Sequence, residues 1–344
     1  MAGITTFMTM AYILAVNPSV LGSTGMDTTA VLLATALASC LGTLCMAFMA
    51  NLPFALSAGM GLNAFMAYTV VAGYGYSWQV ALLAVFIEGL LFIVLSLTNV
   101  REAIFNAIPL TLKKGVSVGI GLFIAFIGLQ NSGLCVDSAT LVGIISFPEN
   151  FHTAGICALL TLIGLFFTAV FYTRKMKGAI LYGILLTWIL GMLCQVTGLY
   201  VPTPDAGFYS LFPSWGMTDF SKLGLTFGQC FNVDFSAVGI VNFIVVIFSF
   251  LFVDIFDTLG TLIGVATKAK MLDKDGKLPG IKPALLADSI ATSAGAILGT
   301  STTTTFVESA SGVAVGGRTG LTALVTGILF LVSTLFAPIF TAIP

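Results

Sequence analysis

Residues 237–266 read AVGIVNFIVVIFSFLFVDIFDTLGTLIGVA, with no charge except the acids Asp254 and Asp257. A helix rises about 1.5 Å per residue, so about 20 apolar residues cross a hydrocarbon core ~30 Å thick. This stretch is long enough to cross, and its composition suits lipid. The whole chain agrees, with 58% apolar and 8% charged residues and a mean hydropathy of +1.08. A soluble domain carries roughly 25% charged residues. Too little charge is present to cover a water-facing surface, which excludes an ordinary cytosolic enzyme and a disordered chain. A net charge of −1 lacks the basic stripe that nucleic acid requires. The fold class is therefore an all-α polytopic membrane protein. A β-barrel would show short alternating strands, and these runs are long and continuous.

Working outward, apolar runs between polar breaks give eleven spans, near 1–17, 28–50, 54–72, 77–97, 115–131, 153–172, 177–199, 237–266, 281–299, 303–316 and 319–342. The cations test this count. Arg101, Lys113 and Lys114 follow span four, and Arg174, Lys175 and Lys177 follow span six. Lys268, Lys270, Lys274, Lys277 and Lys282 follow span eight, and Arg318 follows span ten. Of the thirteen Lys and Arg residues only Lys222 falls on the other side. Basic loops face the cytoplasm, so the expected N-terminus is cytoplasmic in a multi-pass plasma-membrane protein. A wrong count would scramble this parity. Two longer outer connections, 132–152 and 200–236, read as loops or helices lying at the interface. Their acids Asp137, Glu149, Asp205, Asp219 and Asp234 read as a solvated face.

The six cysteines show no CxxC spacing and fall mostly in apolar runs, where they fill helix packing. The one histidine, His152, lies in a polar loop, so no metal and no cofactor is expected.

Five carboxylates break the apolar rule: Glu88 in AVFIEGLLF, Asp254 and Asp257 in FLFVDIFDTLGT, Asp288 in ALLADSIAT and Glu308 in TTFVESASG. An ionised group at membrane depth costs roughly 2.5–3.5 kcal/mol on insertion scales. Nearly all cations lie in loops and cannot neutralise all five. Protonation is the available escape, and it would make such a group a proton carrier. The plainer alternative is a neutral carboxyl hydrogen-bonded between helices. It fits Glu88 and Asp288 better than Asp254 or Glu308.

Two spans are also weak as helices. LSAGMGLN (56–63) puts Gly59, Gly61 and Asn63 in mid-span, and TSTTTTFVESASG (300–312) is rich in Thr, Ser and Gly. These are poor helix formers. Non-helical backbone survives at this depth only where protein or a cavity surrounds it. Each is read as a half-span, an extended stretch followed by a helix that starts near the midplane and offers unpaired N–H groups to a ligand. Small residues serving only close packing are the alternative. The weak spans are the third and tenth. LLATALASCLGT (32–43) resembles LLADSIATSAGAILGT (285–300), and SAGMG (57–61) loosely echoes SASGV (309–313). A seven-span offset is odd, so the second copy would be inverted in the membrane. A seven-plus-seven repeat needs fourteen spans, so this chain reads as a fragment truncated at both ends.

AGITTFMTMAYILAVNP (2–18), ALSAGMGLNAFMAY (55–68), FVDIFDTLGTLIGVA (252–266) and ALLADSIATSAGAILGTSTTTTFVESASGVAVGGRTGLTALVTG (284–327) carry a resemblance across essentially the whole chain. The sequence resembles the nucleobase–ascorbate transporter superfamily, in particular its AzgA-like branch of hypoxanthine/guanine/adenine permeases. The resemblance implies a core domain of spans one to four and eight to eleven, here 1–97 and 237–344. It implies a gate domain whose first part, spans five to seven, is 98–236. It further implies short strands crossing in spans three and ten, proton-coupled purine uptake, and a homodimer. Residue by residue, the substrate-binding positions fall on Asn63, Asp254, Phe306 and Glu308, with Gly61 and Ser309 beside them. Proton-coupling candidates are Asp257, Asp288 and Glu88. Ser309, Ala310 and Ser311 stand where the wider superfamily is often Asn-rich, which favours the purine branch over xanthine or uracil.

The chemistry fits the residues. A purine is planar, with ring N–H donors beside acceptors. Carboxylates accept such donors, and an aromatic ring covers the π-face. An anion transporter of the same architecture is the main alternative, although two acids argue against it. A membrane enzyme would need a nucleophile–base pair or a metal cluster, and no span carries HExxH or GxSxG. A scaffold would have no use for buried acids beside broken helices.

Overall fold

The computed structural model describes the chain except residues 99, 101–114, 116–117, 120–121, 123–124, 127, 139–140, 177, 204–207, 209, 214–215, 236–237, 274–277 and 341–344. Seven of the seventeen residues of the expected fifth span, and the basic residues Arg101, Lys113 and Lys114, lie outside the described residues. So do Lys177, Lys274, Lys277 and Asp205.

Among the described residues, eight helices are long and apolar enough to cross a membrane. The first is Ala2–Gly22, made of α1 (Ala2–Met10) and α2 (Ile13–Gly22) with a turn at Ala11 and Tyr12. The expected span ends near 17, whereas α2 runs on to Gly22 with Pro18 inside it. Then come α3 (Thr28–Cys45), continued by a wide turn to Ala50, β1 (Leu56–Ala58) and α4 (Met60–Ala64). Wide turns extend α4 to Gly73, and α5 (Trp78–Leu97) follows. Side chains start two of these helices: Asp27 accepts from the Ala30 N–H at 3.0 Å, and Ser77 from the Val80 N–H at 3.4 Å.

The connection expected as loops or interface helices over 132–152 contains a hairpin instead. Strands β2 (Cys135–Ser138) and β3 (Leu141–Ile144) pair antiparallel, with Cys135 opposite Ile144. Val136, Val142 and Ile144 are β-formers, and so short a strand carries little periodic signal. Helices α6 (Ile156–Thr173) and α7 (Ala179–Val196) pack on each other. The long connection after α7 holds short 3₁₀ turns at Phe220–Leu225 and Gln229–Phe231. Helix α8 (Ile240–Lys268) is followed by α9 (Ile281–Leu298), β4 (Thr303–Thr305), α10 (Ser309–Ala314) and α11 (Gly320–Ser333).

Both weak spans break as expected, and their strands meet. β1 pairs antiparallel with β4 in the register Leu56–Thr305, Ser57–Thr304 and Ala58–Thr303. The ladder runs one step further at each end, through Gly59 N–H to Thr302 O and Phe306 N–H to Ala55 O. Antiparallel pairing is what an inverted repeat requires, because spans three and ten then run in opposite directions. Two strands alone leave their outer backbone groups without partners. Neighbouring helices supply them. The Thr43 hydroxyl of α3 accepts from Leu56 N–H at 3.0 Å, and Thr292 of α9 donates to Thr303 O at 2.9 Å. Ser39 on α3 reaches Ser57 at 2.7 Å. Close approach is built in: a Cβ on Gly42 would stand 2.6 Å from Ala291 Cβ. Gly299, at φ 103°, turns the chain out of α9 towards β4.

Loop pairings agree with the odd–even reading of sides. Lys222, after α7, pairs at 3.0 Å with Asp27, between α2 and α3. Asn51, before β1, accepts from the Gly320 N–H at the start of α11 at 2.9 Å.

Candidate functional site

The β1–β4 crossing gathers the polar side chains that the apolar runs could not explain. Strand geometry sends successive residues of 301–305 to opposite faces. Thr302 donates to Glu88 Oε2 on α5 at 2.9 Å, and Thr304 donates to Asp257 Oδ2 on α8 at 3.2 Å. On the other face Ser301 donates to Asn63 Oδ1 of α4. The Asn63 Nδ2 has no hydrogen-bond partner among the described residues, although the side chain is fully buried.

Two acidic groups flank the crossing. In the first, Thr258 Oγ1 lies 3.0 Å from Asp254 Oδ1 and 3.0 and 3.2 Å from the two oxygens of Asp288. All three residues are buried, with 0% exposure. Thr258 follows Asp254 by four residues and therefore shares its face of α8, while Asp288 comes from α9. One hydroxyl hydrogen can serve one carboxyl oxygen at a time.

The second group is half-buried. Tyr12, at the α1–α2 turn, donates to Glu308 Oε1 at 2.7 Å. Asp257 lies within electrostatic reach of Asp288 in the first group as well as of Glu308 and Tyr12, so it links the two groups. Of the α8 acids, Asp257 is the half-buried one, in the same group as Glu308, whereas Asp254 is in the sealed group with Asp288. Phe306 is buried with Met10, Ile13, Leu14 and Phe330, and Tyr12 packs against the same cluster.

The other predicted residues divide. Gly61, inside α4, is half-buried. The Ser309 hydroxyl, expected to face a substrate, accepts from the Ala55 N–H at 3.0 Å and so holds β1. The first amides of α10 were expected to be open donors. Instead Ser309, Ala310 and Ser311 donate to the carbonyls of Phe306, Val307 and Glu308 in a tight turn. Among the described residues no cluster of three His, Cys, Asp or Glu side chains has a metal-holding arrangement.

Residues 1–344 match a permease family along their whole length. The chain belongs to that permease family. It is similar to the guanine/hypoxanthine permease PbuG of Bacillus subtilis, 46% identical over 99% of this chain and 75% of that protein. PbuO of the same organism, also a guanine/hypoxanthine permease, is 44% identical over 99% of this chain and 75% of its own. The adenine permease AdeQ of Escherichia coli is 40% identical over 100% of this chain and 72% of that one. The transmembrane domain of the cyanobacterial bicarbonate transporter BicA superposes with a TM-score of 0.67. It covers 99% of this chain and 82% of that one at 15% identity, which establishes a shared fold. The resemblance read from 252–266 and 284–327 thus holds at family level.

In this permease the sequence reading missed Tyr12 and Thr258. Tyr12 sits in MAYILAVNP, where it reads as an ordinary apolar-run aromatic. Thr258 had a usable signal: a hydroxyl one helical turn after an acid in mid-membrane.

Proposed function

We propose that this permease moves purine nucleobases across the plasma membrane by proton-coupled, alternating-access uptake, with its N-terminus in the cytoplasm. The observation that carries this reading is the half-buried carboxylate pair, Asp257 and Glu308, set beside non-helical backbone at membrane depth. The substrate names of the relatives support the choice of a purine. A carboxylate accepts the ring N–H groups of a purine, and Phe306 and Asn63 lie around the same crossing to cover its face and donate to its acceptors. Asp254, buried beside Thr258 and Asp288, backs the site from α8 in this reading.

Coupling follows from charge. A carboxylate loaded with a proton crosses between outward- and inward-open states without carrying net charge through lipid. Asp257, Asp288 and Glu88 are the candidates besides Glu308. In this reading residues 1–97 and 237–344 form the substrate-holding core, 98–236 begins the gate, and the working unit is a homodimer. An anion carrier of the same fold is the second reading, favoured only by the BicA likeness. It fits an acid-lined site poorly.

Uptake of labelled hypoxanthine, guanine, adenine, uracil and sulfate, with and without a proton uncoupler, tests the proposal. Purine uptake abolished by the uncoupler is expected. Uptake of sulfate alone would overturn the nucleobase reading. Glu308→Ala is expected to lower purine uptake at least a hundredfold at unchanged membrane abundance, and normal uptake by that variant would remove Glu308 from the site.

A further inference from the structure

We propose that Tyr12 is a positioning residue that sets the direction in which Glu308 presents its second carboxylate oxygen to a bound base. The inference deepens the purine reading and rests on it for its substrate.

Glu308 stands at the N-cap of α10, a position where Ser, Thr, Asp or Asn would cap the helix. It makes no side-chain cap hydrogen bond. The first amides of α10 are taken by carbonyls, and the one backbone N–H that the carboxylate meets among the described residues is that of Glu308 itself. A glutamate side chain has three rotatable bonds, and fixing its end requires a partner. The Tyr12 phenol is that partner, at 2.7 Å from Oε1. The Glu308 backbone N–H also reaches the carboxylate, and each carboxylate oxygen has two lone pairs, so Oε2 can still accept an N–H from a ligand.

The phenol is itself well anchored. Tyr12 lies at the turn between α1 and α2 and packs against the cluster of Met10, Ile13, Leu14 and Phe306. The preceding turn holds the same half-helix by a separate route: Thr9 Oγ1 lies 2.8 Å from Ser311 Oγ. Gly312 lets the two helices touch, since a Cβ there would stand 2.9 Å from Ala2 O. Span one thus grips span ten twice, once through the backbone side of α10 and once through the functional carboxylate. Asp257 is held differently, by Thr304, so Tyr12 acts on one acid of the pair.

The test is Tyr12→Phe, which keeps the ring and deletes the donor. Uptake normalised to membrane abundance is expected to show a KM for purine raised about tenfold, equivalent to roughly 1.4 kcal/mol, with the maximal rate kept within about twofold. Thr9→Val is the control for general loosening between α1 and α10. It is expected to lower the thermal midpoint without raising KM. A Tyr12→Phe, Glu308→Gln double-mutant cycle on the thermal midpoint of the purified protein reads the bond independently of transport, and the double variant is expected to be no less stable than the worse single. Purine uptake with unchanged KM in Tyr12→Phe, or fully additive midpoints, would overturn this inference alone. Failure of the unsubstituted protein to take up any purine would overturn the transport reading and the substrate role of Tyr12 with it.

Discussion

Around the β1–β4 crossing, threonine hydroxyls reach across to another segment; in the α6–α7 pair they turn back on their own helix. Thr43 and Thr292 bond the backbone of β1 and β4, and Thr302 and Thr304 reach acids on α5 and α8. In the pair, Thr168 donates to Gly164 O at 2.7 Å and Thr187 to Gly183 O at 2.8 Å, each within its own helix. Their side chains, hydroxyl oxygen nearest, fill the space over a glycine of the partner, Thr187 over Gly164 and Thr168 over Gly183. The pair is also more open to the surroundings: the apolar window of Ala179–Val196 is 17% buried, against 72% for Thr28–Ala50. The same residue type serves two ends. Where backbone is broken, hydroxyls must satisfy it; where helices are intact, the backbone is already paired and small residues only permit close contact.

That contrast can be broken by substitution. Thr43→Val keeps the shape and removes the oxygen that the Leu56 N–H needs. Leaving a buried backbone group without its partner costs roughly 1–3 kcal/mol, and the upper end is expected here, read as a lowered thermal midpoint together with weakened purine uptake. Gly183→Val inserts a side chain where Thr168 already packs. About 1–2 kcal/mol of destabilisation is expected with KM for purine unchanged. If Gly183→Val raised KM while Thr43→Val did not, the division between a site-building and a merely packed region would be wrong.

The smallest effect belongs to the ion pair on the loops. Burial pushes the Asp27 carboxyl up, but the Ala30 N–H and Lys222 outweigh it and hold the group below its ordinary value of 3.8. A depressed carboxylate contributes stability that is complete above the ordinary value and fades as pH falls through the lower, folded one. Lys222→Ala is therefore expected to cost less than about 1 kcal/mol at neutral pH, since both partners are partly exposed. The difference from the unsubstituted protein should shrink in acid and in high salt. A difference that grew on acidification would contradict the pairing.

Legibility followed physical range. Breaks in spans three and ten were readable because Gly59, Gly61 and the Thr run 302–305 are poor helix formers wherever they occur. The acids Glu88, Asp254, Asp257, Asp288 and Glu308 were readable because a charge in an apolar run is costly in any fold. The partner of Ser309 was not readable: its hydroxyl accepts from the Ala55 N–H, 254 residues away in sequence, and nothing beside Glu308 signals that bond. The β2–β3 hairpin was missed because four-residue strands leave too short a pattern to separate from loop.

The sequence alone determined that the chain crosses a membrane, where its helices break and which residues are too polar for lipid. Each of these depends on local composition and on the cost of leaving water, so neighbours in the chain suffice. Only the tertiary structure decided how those polar residues are shared out: Asp254 with Thr258 and Asp288, Glu88 with Thr302, Asp257 with Thr304, and Glu308 with Tyr12. A hydrogen bond is short and directional, and most of these partners lie far apart along the chain, so they come within reach only once the two strands have crossed.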